Sequence, residues 1–196
     1  MKVLTIICLT FLTAISAYAE DPPTPSKAPV EAKNEIILIP TLHRGHLRKG
    51  EFYNLERLAS IIKEVKVDFI CTEITPTALA THRDGKEDRR LNFFPEFTQV
   101  ILKLEKKLGY EVIPCSAWTA KRNYKTIGLK AMDEAHYKLI GEALDKYSKQ
   151  KKRIAITFGG GHINGLLEHL RKRDDIKIID YRPTLKKQKE EHLKSK

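Results

Sequence analysis

Five short apolar runs, rich in β-branched residues, recur along this chain at residues 35–40, 67–72, 110–115, 153–158 and 176–180. Between them the apolar spacing changes to three and four. Phe52, Leu55, Leu58, Ile62 and Val65 mark a helix over 51–65, and Phe97, Ile101, Leu104 and Leu108 mark one over 94–108. Leu129, Met132, Tyr137, Ile140 and Leu144 mark a third over 128–147, and residues 163–171 form a fourth. Strands that are apolar on both faces must be covered on both sides, and intervening helices supply the cover. The expected fold is therefore α/β: a single domain over residues 35–182, with a mostly parallel five-stranded sheet and helices on both faces. Crossovers should be right-handed. The polar stretch 75–92 shows no period and reads as a loop.

The composition supports a packed core, because 41% of the 196 residues are hydrophobic and 31% charged. Three Cys residues exclude a disulfide-stapled mini-protein and a four-Cys zinc module. Lys and Arg outnumber Asp and Glu by 36 to 25. The cations are dispersed among acids and carry no nucleic-acid motif, so a solvated basic surface is expected and no nucleic-acid partner.

The two ends read differently from the middle. Met1-Lys2, an apolar run from Val3 to Ala17, and the small-x-small step Ala17-Tyr18-Ala19 form a secretory signal pattern over residues 1–19. The chain is expected to be secreted or periplasmic, cut after Ala19, with no stable membrane anchor. Residues 20–34 contain four prolines and read as an extended linker. Residues 183–196 read as a charged tail, frayed or disordered. Cys8 leaves with the signal, and Cys71 and Cys115 fall in strand-like runs as buried thiols.

In parallel α/β sheets, ligands bind beyond the carboxyl ends of the strands. The residues that follow each strand therefore carry the functional information. Thr41, His43 and His46 follow the first strand, and Glu73 ends the second. Ser116 and Trp118 follow the third; Gly159, Gly160, Gly161 and His162 follow the fourth; Tyr181 follows the fifth. The three glycines permit a tight turn into a helix, but neither a P-loop nor a dinucleotide fingerprint is present. Imidazoles and a carboxylate converging from separate strand ends make a plausible site for a divalent metal ion with open positions. His43, Glu73 and His162 are the candidate catalytic and metal-binding residues, and Glu73 is readable as ligand or general base. Thr41, His46, Tyr181, Gly159, Gly160 and Gly161 are candidates for support or substrate contact. His82, Arg83, Arg89 and Arg90, in the 75–92 stretch, suit a lid or an anion contact.

Taken together, these blocks resemble the TraB/TIKI/GumN family, within the broader erythromycin-esterase and ChaN-like superfamily. Pro40-Thr41-Leu42-His43 is similar to the family's Gly-Thr-x-His motif, with Pro40 in place of the Gly. Ile70-Cys71-Thr72-Glu73 matches its Glu-ended strand, and Gly159-Gly160-Gly161-His162 its Gly-x-x-His motif. The resemblance implies a metal-dependent hydrolase of peptide or ester bonds. Its ChaN branch implies instead a non-catalytic protein that binds haem, metal or a small ligand.

Overall fold

A computed structural model describes residues 33–119 and 121–195. The signal segment, Cys8 and all but the last two residues of the linker lie outside the described residues. In chain order the elements are β1 (Asn34–Thr41), α1 (Leu55–Val65), β2 (Phe69–Thr72), α2 (Pro76–Arg83), α3 (Leu102–Leu108) and β3 (Glu111–Pro114). They are followed by α4 (Tyr124–Ile127), α5 (Leu129–Lys146), β4 (Arg153–Gly159), α6 (Ile163–Leu170), β5 (Ile176–Asp180) and α7 (Arg182–Lys194). All five strands are parallel, in the order β3-β2-β4-β1-β5. The fold is the α/β class expected from the alternation.

Alternate strand residues serve opposite faces. Ile37, Ile39 and Ile70 pack with Leu58, Ile61 and Ile62 of α1 and with Phe97 and Ile101 ahead of α3. Ile36, Leu38, Ile154 and Ile156 pack with Ile140 and Leu144 of α5 and Leu166 and Leu170 of α6. This layering positions the site. The chain leaving β1 and β2 runs to helices on the first face. The chain leaving β4, which lies between those two strands, runs to α6 on the second. Connections that diverge from neighbouring strands open a crevice at the carboxyl edge.

Three expectations need correction. The 75–92 stretch is not a loop: Pro76 opens α2, and the Thr75 hydroxyl accepts the Ala78 N–H at 3.1 Å as its cap. Only Ala78 and Leu79 of α2 are buried, too few to leave a period. The charged tail is also helical. None of its side chains is fully buried, so α7 rests on strong helix formers and on Leu185 packed against the core. Asn34, read as the end of the linker, begins β1. It is buried, its amide donates to the Tyr147 carbonyl, and its oxygen accepts the Lys152 N–H, both at 2.8 Å. Cys71 and Cys115 are free and fully buried. No described helix is long and apolar enough to cross a membrane.

Candidate functional site

The crevice collects a histidine, a glutamate and a second histidine from three strand ends. β1 ends at Thr41, and His43 opens a 3-10 turn, His43–Leu47, with φ +50°. A left-handed non-glycine residue costs about 1–2 kcal/mol, so the turn must be held by other contacts. His46 holds it. Its Nε2 accepts the Leu42 N–H at 2.9 Å, and its Nδ1–H donates to the Tyr53 carbonyl at 2.6 Å. Both ring nitrogens of His46 are thus used by backbone. It is a buried scaffold residue for the His43 turn, not a substrate contact.

Glu73, the residue after β2, is 8% exposed. Its Oε2 accepts the Gly159 N–H at 2.7 Å and lies 3.6 Å from His43 Nε2. Its Oε1 lies 3.4 Å from His162 Nε2. One carboxylate therefore stands between two imidazoles. Each imidazole is backed in turn by its own carboxylate: His43 Nδ1 meets Glu96 Oε1 at 2.7 Å, and His162 Nδ1 meets Asp133 Oδ1 at 2.8 Å. The Tyr124 hydroxyl reaches His162 Nε2 at 3.0 Å, and its ring stacks on the imidazole at 6.0 Å.

Gly159 shows why the turn after β4 is glycine. Its φ of −50° makes no special demand. A Cβ there, however, would lie 2.6 Å from His43 Nε2 and 3.2 Å from Glu73 Oε2. Gly160 meets only the Thr41 carbonyl, at 3.8 Å, and Gly161 meets nothing. Gly159→Ala is expected to push His43 off Glu73 at a cost of about 1–3 kcal/mol, while Gly161→Ala leaves stability unchanged. Thermal denaturation of the two variants checks this, and equal melting temperatures would refute it.

Thr41 pairs with Gly159 in register and is buried, with no partner for its hydroxyl among the described residues. Tyr181, expected at the site, is instead buried in the core on the α1 face, beside Glu64. Of the basic residues in the 75–92 stretch, Arg83 pairs with Glu105 at 2.8 Å, while His82 sits edge-on to Phe97. Arg90 borders the site but is engaged by both oxygens of Asp88.

The sequence reading missed Glu96, Asp133, Tyr124 and His136. Asp133 and His136 lie within the apolar stripe of α5, between Met132 and Tyr137. Polar residues at i and i+3 on an otherwise buried helix face are a legible signal that they serve something. His136 is buried, and the Ala117 N–H donates to its Nδ1 at 3.0 Å. Its Nε2 has no hydrogen-bond partner among the described residues. Glu96 carried no such signal, because it falls where the helix over 94–108 begins with a π-helical turn, Phe97–Ile101.

Above the triad opens a cavity of about 630 Å³. Phe93, Phe94, Trp118, Tyr124 and Leu129 form its walls, and Glu73 and the two histidines its floor.

The electrostatics follow from this packing. Burial pushes Glu73 up, but His162 and His43, with the Gly159 N–H, outweigh it and hold the carboxyl below its usual range. Burial pushes His43 and His162 down, but their carboxylate neighbours hold both above the ordinary imidazole range. A raised imidazole contributes stability that is full below pH about 6.5 and is lost as pH rises through its folded value. His46, His136 and His169 are shifted down, mainly by burial, so their contribution rises with pH below about 6.5 and is level above it. The difference between wild type and Glu73→Gln isolates the triad. In chelator, that difference in melting temperature is expected to shrink between pH 6.5 and 9, and one that grows would contradict the arrangement.

The donor set fits a divalent ion in kind: two imidazole nitrogens and one carboxylate, with both Nδ1 atoms on carboxylates, the usual support of metal-binding histidine. Gly159 leaves open the space where a side chain would crowd them. Among the described residues, no group of three or more His, Cys, Asp or Glu side chains is placed to hold a metal ion as it stands. The chain matches no protein-family model and no curated protein sequence.

Proposed function

We propose that this chain is an exported metal-dependent hydrolase of peptide or ester bonds, as its resemblance to TraB/TIKI/GumN proteins implies. The observation that carries the reading is Glu73 held between two imidazoles whose far nitrogens are each fixed by a carboxylate. His43, Glu73 and His162 would hold the ion, which when bound polarises a carbonyl and acidifies a water.

The chain's own residues do the rest. With Glu96 and Asp133 on the two Nδ1 atoms, both Nε2 atoms are left facing Glu73, to share a proton with it or, when neutral, to hold the ion. Glu73 serves as ligand or as general base, its carboxylate kept ionised by its neighbours and oriented by the Gly159 N–H. The Tyr124 hydroxyl lies 3.0 Å from His162 Nε2, within reach of a substrate oxygen seated beside that nitrogen. A substrate seated against the aromatic walls would displace water from the floor, which strengthens each of these interactions.

A non-catalytic carrier of haem, metal or a small ligand is the second reading, and the aromatic-walled cavity favours it. Purified protein dialysed against zinc, manganese or iron(II), then assayed on p-nitrophenyl acetate and on a peptide mixture, separates the two. The hydrolase reading expects bound metal and turnover that chelator abolishes. Metal or a Soret-absorbing haem retained without turnover transfers the conclusion to the carrier.

A further inference from the structure

We propose that the cavity above Glu73 receives an uncharged ester or amide whose acyl group carries an aromatic or branched apolar body. The inference rests on the hydrolase reading for the word acyl, and on the cavity itself for the rest.

Size comes first. About 630 Å³ lies in the middle of the range for cavities that enclose small ligands, and is far more than a methyl-sized acyl group would fill. The wall is apolar in a way the rest of the surface is not. Phe93 is 59% and Leu129 61% exposed, and Trp118 and Tyr124 are each 37% exposed on the same rim. Large apolar groups left open side by side mark a binding surface rather than packing. Aromatic faces and edges set around one space suit a flat ring.

Charge selects among ligands that fill this space. The floor carries Glu73, with Glu96 and Asp133 behind it. Two imidazoles carry at most two positive charges against three carboxylates, so without a metal ion the floor is negative whatever protons the rings hold. In that state it repels a carboxylate head. Arg90 at the rim does not reverse this, because its guanidinium is already taken by Asp88. A neutral head group is left, and it meets a donor in need of an acceptor. The Ala117 N–H occupies the Nδ1 lone pair of His136, so that ring is neutral and its proton sits on Nε2. His136 is 1% exposed, borders the cavity, and its Nε2–H finds no partner among the described residues. A carbonyl oxygen supplies what it lacks. The Cys115 carbonyl, which also lies near this ring, favours a proton on it weakly.

Trp118 is the chain's single tryptophan and stands in the wall, so its fluorescence reports occupancy directly. Four probes separate the terms: 4-phenylbutanamide, butanamide, 4-phenylbutanoate and butylbenzene, each titrated with and without zinc. The expected order places 4-phenylbutanamide tightest, about tenfold or more ahead of butanamide, because burial of a phenyl-sized group is worth at least that factor. Without zinc, 4-phenylbutanoate should also bind about tenfold more weakly than the amide. His136→Phe should remove the amide's advantage over butylbenzene while leaving butylbenzene itself unchanged, and His136→Gln, which restores an N–H, should recover part of it. Should His136→Phe not fold, the ring ¹⁵N shifts of wild type answer the same question, since a proton on Nδ1 overturns the donor assignment. Tighter binding of the carboxylate without zinc, or no gain from the phenyl ring, overturns the proposal. Its failure is distinct from that of the hydrolase reading. Metal binding with turnover but no preference for the aromatic amide sinks the cavity assignment alone. The expected probe order in a protein that neither binds metal nor hydrolyses esters sinks the hydrolase and leaves the cavity assigned.

Discussion

His43→Ala, Glu73→Ala and His162→Ala are each expected to weaken metal binding by more than about a hundredfold. That exceeds the roughly 10–100-fold usually lost when a group behind a ligand is removed, because each of these changes deletes a donor. The fold should survive. The three residues lie just past strand ends, and the apolar contacts of β1, β2 and β4 do not run through them. His169→Ala is the control. His169 sits on α6, as does the segment His162 leads into, but it leans on Tyr137 with ring centroids 5.4 Å apart and takes no part in the triad. Competition with a chromophoric chelator measures the affinities, and circular dichroism checks the fold. Full affinity retained in all three variants would falsify the metal site.

Asp133→Asn and Glu96→Gln should cost about tenfold or more in the same titration, by a different route. The amides keep the size and one acceptor oxygen, but they remove the charge that orients and polarises the imidazole. The sign with pH is specific. Loss of a flanking carboxylate lowers the imidazole's affinity for protons, so a proton competes less with the metal in the variant. The deficit against wild type should therefore be smallest near pH 6 and largest near pH 8, where protons no longer compete in either protein. A deficit independent of pH would mean that these carboxylates only fill space. Histidine NMR titration gives a second readout, with the apparent pKa of His162 falling in Asp133→Asn and that of His43 falling in Glu96→Gln.

What the sequence displays and what it hides divide along a physical line. The buried strands are legible because two-sided burial selects Ile, Leu and Val in unbroken runs, as in Ile36 to Ile39. The positions of His43, Glu73 and His162 are legible because topology alone puts strand ends together. Their partners Glu96 and Asp133 come from helices on opposite faces of the sheet, and no local spacing links either to the histidine it holds. α2 and α7 were hidden for another reason. Caps, prolines and intrinsic helix propensity maintain them, and none of these leaves an apolar stripe. Tyr181 was misplaced because a residue following a strand turns to one face or the other according to the next helix. Here the turn into α7 sends it under α1.

The strand order has a consequence for how this site comes into being. β1 and β2 share no ladder; each is hydrogen-bonded to β4, which enters between them from more than eighty residues further along the chain. A chain emerging N-terminus first thus presents two strands with open edges and a vacancy between them. Such edges invite pairing with other chains until they are filled. Non-local parallel pairing is also slow to nucleate. The insertion of β4 seals both edges in one step, and the same step carries in Gly159 and His162. The polar cluster is therefore assembled at the moment the sheet closes, and no N-terminal fragment ending before residue 153 can contain it.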